Sequence, residues 1–68
     1  MINRILLAEH ENDFRYLYDL QKSGRTNMFG AGDFLNRERY LDKTKAALIL
    51  IEWLNNYDGI ARELGIDI

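Results

Sequence analysis

An all-α domain, a compact bundle of three to four short helices, is the fold this sequence predicts, and three observations predict it. Between Asn3 and Lys22 apolar residues recur at three- and four-residue spacing, the signature of a helix with one buried side. Between Ala46 and Leu54 eight of nine residues are apolar, Glu52 being the exception, so a helix there is apolar most of the way round and belongs at a domain centre or an interface. Nothing alternates convincingly with period two, which leaves a sheet without support.

In order along the chain, Leu7, Phe14 and Leu17 share one side of the first helical segment, and Ile5, Tyr16 and Leu20 broaden it. That helix starts either at Asn3 or only at Asn12. Ser23-Gly24 closes it, because glycine reaches the left-handed conformation that follows a helix C-terminus, and Lys22 suits the negative end of the helix dipole. The stretch Arg25 to Gly32 holds two glycines and two large apolar residues, a composition that predicts a Gly-rich loop packed onto the core. Asp33 is placed to start a second helix, over Asp33 to Tyr40, with Phe34, Leu35 and Leu41 on its apolar side. Asp42 caps a third helix beginning near Lys43. Asn55 to Gly59 interrupts its pattern, and Asp58 can cap a last short turn through Ile60, Ala61 and Leu64, closed by Gly65.

Composition sets the outer limits. The chain has 68 residues, no cysteine, no proline and one histidine, so residues 1–68 read as one small domain without disulfide or zinc staples. With so small a core, the remaining sources of stability are efficient helix packing, self-association, or docking onto a partner. A net charge of −2 disfavours a general polyanion binder. The longest strictly apolar run, Ala46 to Ile51, is far short of the roughly 20 residues that cross a bilayer. Ile5 to Ala8 is too short for a signal-peptide core, and with no cysteine to oxidise the expected compartment is the cytoplasm.

Catalytic patterns are missing. His10-Glu11 is followed by Phe14 where a zinc-binding HExxH helix needs histidine, and no second histidine exists, so His10 reads as a partly exposed helix residue. Gly24, Gly30 and Gly32 fit neither phosphate-loop spacing. No catalytic residue, metal site or cofactor is expected. Glu11 and Arg15 read as an ordinary surface pair at helical spacing.

Two sets of residues remain as binding candidates. Arg37, Arg39, Lys43 and Lys45 straddle the turn between the second and third helices, as a helix-turn-helix would require, with Lys43, Thr44 and Lys45 as readers of base edges. Glu38 and Asp42 dilute that cluster, and the third helix is too apolar to leave a groove-facing side. The other set is the loop Arg25, Asn27, Met28 and Phe29. There, Met28 and Phe29 either plug the core or stand out as an adaptable apolar knob for a protein partner.

The pattern Tyr16-Leu17, Leu20, Ser23-Gly24, Thr26-Asn27-Met28-Phe29-Gly30-Ala31, Phe34-Leu35, Leu41, Ala46 and Trp53-Leu54 resembles small proteins encoded by tailed bacteriophages. The resemblance covers about residues 14 to 57 and rests on the loop block and the Ala-to-Trp spacing. The chain departs from it at Arg39-Tyr40-Leu41-Asp42, where those proteins tend to carry Phe-Gly-Leu-Ser, and at Leu54, where they often carry Met. The resemblance implies viral origin and a compact helical fold. It implies no catalytic residue.

Trp53 shares a helical side with Ala46, Ile49, Leu50 and Tyr57 and is the expected core anchor. Leu48, Ile51 and Leu54 then point elsewhere, more apolar surface than three short helices cover, and a homodimer through Leu48 and Ile51 or docking onto a larger protein follows. The sequence therefore predicts a non-enzymatic accessory protein that binds and modulates a host or viral protein, an enzyme or a defence complex. The alternative is a small helix-turn-helix nucleic-acid binder.

Overall fold

In a computed structural model, which describes residues 2–25, 27 and 30–66, the chain forms four helices and the described residues contain no strand. They are α1 (Arg4–Glu9), α2 (Glu11–Ser23), α3 (Ala31–Glu38) and α4 (Lys43–Glu63). The Cα radius of gyration, 10.8 Å, matches the roughly 11 Å of a close-packed chain this long, so the helices enclose one core.

The first helical segment is two helices with a break. Asn3 caps α1, its side-chain oxygen accepting from the Leu6 amide at 3.0 Å. At His10 the backbone leaves helical geometry (φ −125°, ψ 33°), yet its amide still donates to Leu6 and its carbonyl accepts from both Asp13 and Phe14 at 3.0 Å. The break therefore costs little hydrogen bonding and redirects the chain. Gly24 ends α2 in the left-handed region, as expected, with its amide donating to the Gln21 carbonyl.

The second expected helix is shifted. It spans Ala31–Glu38 in place of Asp33 to Tyr40, and Gly32 lies inside its first turn instead of in the preceding loop. The Asn27 side chain accepts from the Gly30 amide at 3.1 Å, a local bond that starts the turn two residues earlier than Asp33 would. Met28 and Phe29, the centre of the expected packed loop, lie outside the described residues. The chain leaves α3 through Tyr40, whose φ of 58° is the positive value that glycine adopts more easily. Asn36 steadies this reversal by donating to the Leu41 carbonyl at 2.7 Å.

Asp42 caps α4 as expected, accepting from the Lys45 amide at 2.7 Å. The interruption expected over Asn55 to Gly59 shrinks to one residue, Asn56 (φ −137°, ψ 24°), where α4 kinks and then continues. Beyond the kink, Gly65 at positive φ closes the helix with two bonds, its own amide to Arg62 and the Ile66 amide to Ala61. Arg15 of α2 adds a third tie, donating to the Leu64 carbonyl at 2.9 Å at the negative end of the helix dipole.

The core consists of Leu7, Phe14, Leu17 and Leu20 from the first pair of helices, Ala31 and Leu35 from α3, and Ala46, Ile49, Leu50, Trp53 and Ile60 from α4. Trp53 is its anchor: its indole N–H donates to the Gln21 side chain at 3.0 Å, so a large apolar ring is buried without an unsatisfied donor. Among the described residues no buried side-chain polar atom lacks a partner. Beyond the kink, the Ile2 side chain packs close against Gly59. A Cβ on Gly59 would lie 2.7 Å from the Ile2 Cδ1 atom.

Candidate functional site

The helical periodicity that buries Ala46, Ile49, Leu50 and Trp53 sends Leu48, Ile51 and Leu54 the other way. Their exposures are 50%, 55% and 37%, and Ala47 and Asn55 beside them are also exposed. This makes an apolar stripe along the outer side of α4, with exposed Lys43 and Thr44 at one end and Asp58 at the other. On one flank the N-terminal segment holds the helix, the Asn3 amide donating to the Glu52 carboxylate at 2.7 Å. On the other flank a shallow groove of about 260 Å³ runs between α3 and α4, floored by Gly32, Ala46, Ala47 and Leu50 and rimmed by Lys43. Small residues on that floor let an incoming side chain approach closely.

The basic cluster comes apart in the structure. Arg39 is drawn into an ion pair with Asp13 at 2.8 Å, and Arg37 lies over the Phe34 ring, 5.2 Å from its centroid. Lys43 and Lys45 are two positions apart on a helix and so point to different sides, Lys43 exposed and Lys45 half-buried. Arg37 and Arg39 are thus engaged within the fold, while Lys43 and Lys45 diverge.

Of the loop candidates, Arg25 also lies over the Phe34 ring, 5.4 Å from its centroid, and reaches the Glu38 carboxylate at 3.7 Å. Asn27 is engaged with the Gly30 backbone. Met28 and Phe29 are outside the described residues.

Sequence reasoning missed a polar cluster at the break between α1 and α2. Asp13 is buried and uses both oxygens, one to the Nδ1 atom of His10 at 3.0 Å and one to Arg39. His10 is partly exposed as expected, but it stands at the junction of two helices and not within one. A histidine held by a carboxylate is part of an acid–base triad, but a triad also needs a nucleophile on the other ring nitrogen. The contact on the His10 ring is the one between its Nδ1 atom and Asp13. The cluster ties the α1–α2 junction to the end of α3. His10 and Asp13 stand at local i,i+3 spacing, but Arg39 is 26 residues from Asp13, beyond the reach of any local pattern.

Elsewhere a tyrosine and a carboxylate have displaced titrations. Burial raises the Tyr16 hydroxyl, and its hydrogen bond to Glu38 at 2.9 Å adds to the effect. The hydrogen bond and charge of Arg4 lower the exposed Glu63 carboxyl. Neither lies on the α4 stripe. Among the described residues no group of three or more His, Cys, Asp or Glu side chains is placed to hold a metal ion, and no helix is long and apolar enough to cross a membrane.

Comparisons with protein-family models, curated proteins and solved structures return no significant match, so the functional reading rests on the geometry of the outer side of α4.

Proposed function

We propose that this chain is a small non-enzymatic accessory protein of the phage type, which acts stoichiometrically by binding another protein, host or viral, through the outer side of α4. The observation that carries the reading is the exposed stripe of Leu48, Ile51 and Leu54 on a helix whose other side is fully committed to the core. A contiguous apolar strip with a polar rim is the anatomy of a protein interface. The dispersal of Arg37, Arg39, Lys43 and Lys45 supports protein over nucleic acid as the partner.

The test is cross-linking in host lysate, divided into nuclease-treated and untreated halves, with the native chain and with Ile51→Glu. The proposal expects a near-stoichiometric protein that survives nuclease and is lost in Ile51→Glu. Recovery that vanishes with nuclease, and with Lys43→Glu, would overturn it in favour of the helix-turn-helix alternative.

A further inference from the structure

Two arginines from different elements converge on one ring. Phe34 and Arg37 stand three positions apart on α3 and so share a helix side, and the Arg37 guanidinium lies over the ring. Arg25 arrives from the chain beyond α2, where left-handed Gly24 turns the backbone and the Arg25 amide donates to the Ser23 hydroxyl at 3.3 Å. Both charges also lie close enough to the Tyr16 hydroxyl to act on its titration. Stacking occupies the face of a guanidinium and leaves the N–H donors on its edge available.

Those donors are poorly satisfied. Arg37 is exposed and has no ion-pair partner among the described residues. Arg25, its side chain 57% exposed, reaches Glu38 only at 3.7 Å, whereas the other ion pairs among the described residues close to 2.8–3.0 Å. Glu38 is held by the Tyr16 hydroxyl, which donates to it at 2.9 Å. One carboxylate is thus shared between a hydroxyl and a loosely held cation, while Arg37 adds a second positive charge at the same ring. The local excess is positive in a chain whose net charge is −2.

We propose that Arg25, Phe34 and Arg37 form a second binding surface, which takes the carboxylates of an acidic segment of a partner protein. None of the three lies on the outer side of α4 or lines the groove between α3 and α4, so this surface stands apart from the one already described.

Each guanidinium can donate two parallel bonds to one carboxylate, and the ring holds both in place before a ligand arrives, so little side-chain freedom is lost on binding. Phe34 is half-buried, which leaves part of the ring for the methylene groups of a glutamate side chain, a contact that free phosphate cannot make. A nucleic-acid backbone is a poorer match, because its binders neutralise a row of phosphates. Here the next cation on that end of α3, Arg39, is committed to Asp13. Exposed pairs of this kind are weak and screened by salt, so the surface selects for charge more than it supplies affinity.

The test is a titration of the full, isotope-labelled chain with a short oligoglutamate peptide at fixed ionic strength, read by NMR at the arginine Nε–H groups. Saturable shifts are expected at Arg25 and Arg37 with a dissociation constant of about 1 mM, and none with oligoglutamine of the same length. Arg37→Gln should weaken binding several-fold, and so should Phe34→Leu, which keeps both charges. Glu38→Gln should strengthen it several-fold, since it removes the competing carboxylate and keeps an acceptor for Tyr16. That gain preserves the test even where Phe34→Leu, checked by circular dichroism, fails to fold. Ile51→Glu should leave the titration unchanged, so this surface and the outer side of α4 stand or fall separately. Shifts that are unsaturable and equal at all arginines, or an affinity unchanged in Arg37→Gln, would overturn the proposal. Equal response to inorganic phosphate would overturn it in favour of a free anion, and tighter binding of a single-stranded oligonucleotide would overturn it in favour of nucleic acid.

Discussion

The two sides of α4 are almost equally apolar and have opposite roles. Ala46, Ile49, Leu50 and Trp53 are buried against α2 and α3, whereas Leu48, Ile51 and Leu54, interleaved with them in sequence, remain exposed. Hydrophobicity alone does not separate them. What separates them is the supply of neighbours: α1, α2 and α3 are short and cover one side of a 21-residue helix, which leaves the other side for a partner. In a chain of this size a helix more apolar than its own core requires is evidence about association.

The largest effect expected from challenging this contrast is on the inner side. Trp53→Ala removes the anchor and leaves Gln21 without the indole donor, a loss of about 3–5 kcal/mol, comparable to the whole stability of so small a domain. Urea denaturation followed by circular dichroism should find this variant largely unfolded in buffer. A variant that retains a full cooperative transition would show that α4 is not held by its inner side.

Next comes the polar tie that holds α3 in place to cover that side. Asp13→Ala breaks bonds to His10 and Arg39 together and is expected to cost about 1–3 kcal/mol, discounted at the Arg39 end because that guanidinium remains part-exposed. Arg39→Ala should cost less. A double variant no worse than Asp13→Ala alone is the signature of one shared interaction.

A smaller effect of opposite sign is expected at the joint between α3 and α4. Tyr40 is 90% exposed and held at positive φ, so Tyr40→Gly removes a left-handed penalty without losing packing and should stabilise by about 1 kcal/mol, read as a higher denaturation midpoint. Destabilisation would mean that the ring does work on the surface that its exposure does not suggest.

The smallest effect concerns pH. Tyr16 titrates higher in the folded chain than in the unfolded one, because burial and the bond to Glu38 favour its neutral form. Its contribution is complete below the ordinary tyrosine range and is lost as pH rises through that range to the folded value. Stability should therefore decline above about pH 10, and less steeply in Tyr16→Phe. Identical slopes for the two proteins would assign the decline to other groups.

Much of the fold is legible in the sequence because it is encoded locally. Asp42 as a cap, Gly24 and Gly65 as closures, and the all-round apolar character of α4 each depend on a few adjacent residues. The break at His10 is hidden because apolar spacing continues straight across it and its backbone bonds are kept. The start of α3 is misplaced because glycine at position 32 reads as loop, although a helix tolerates it where the neighbouring Leu50 packs close by. The Asp13–Arg39 and Gln21–Trp53 contacts join residues distant in sequence and come only with the tertiary structure. As for the site, Leu48 and Ile51 are identifiable from periodicity alone. The dispersal of the basic cluster is not, since it depends on which rings and carboxylates the folded chain brings to Arg37 and Arg39.

The most direct test of a helix with one side for folding and one for association is to change the outer side alone and read both properties in one sample. In Ile51→Glu, thermal melting and recovery of the cross-linked lysate protein should be measured on the same preparation, beside the native chain. Stability within about 0.5 kcal/mol of native is expected, as for an exposed site, with the nuclease-resistant protein lost. A melting temperature that collapses, or a protein recovered as with the native chain, would contradict it.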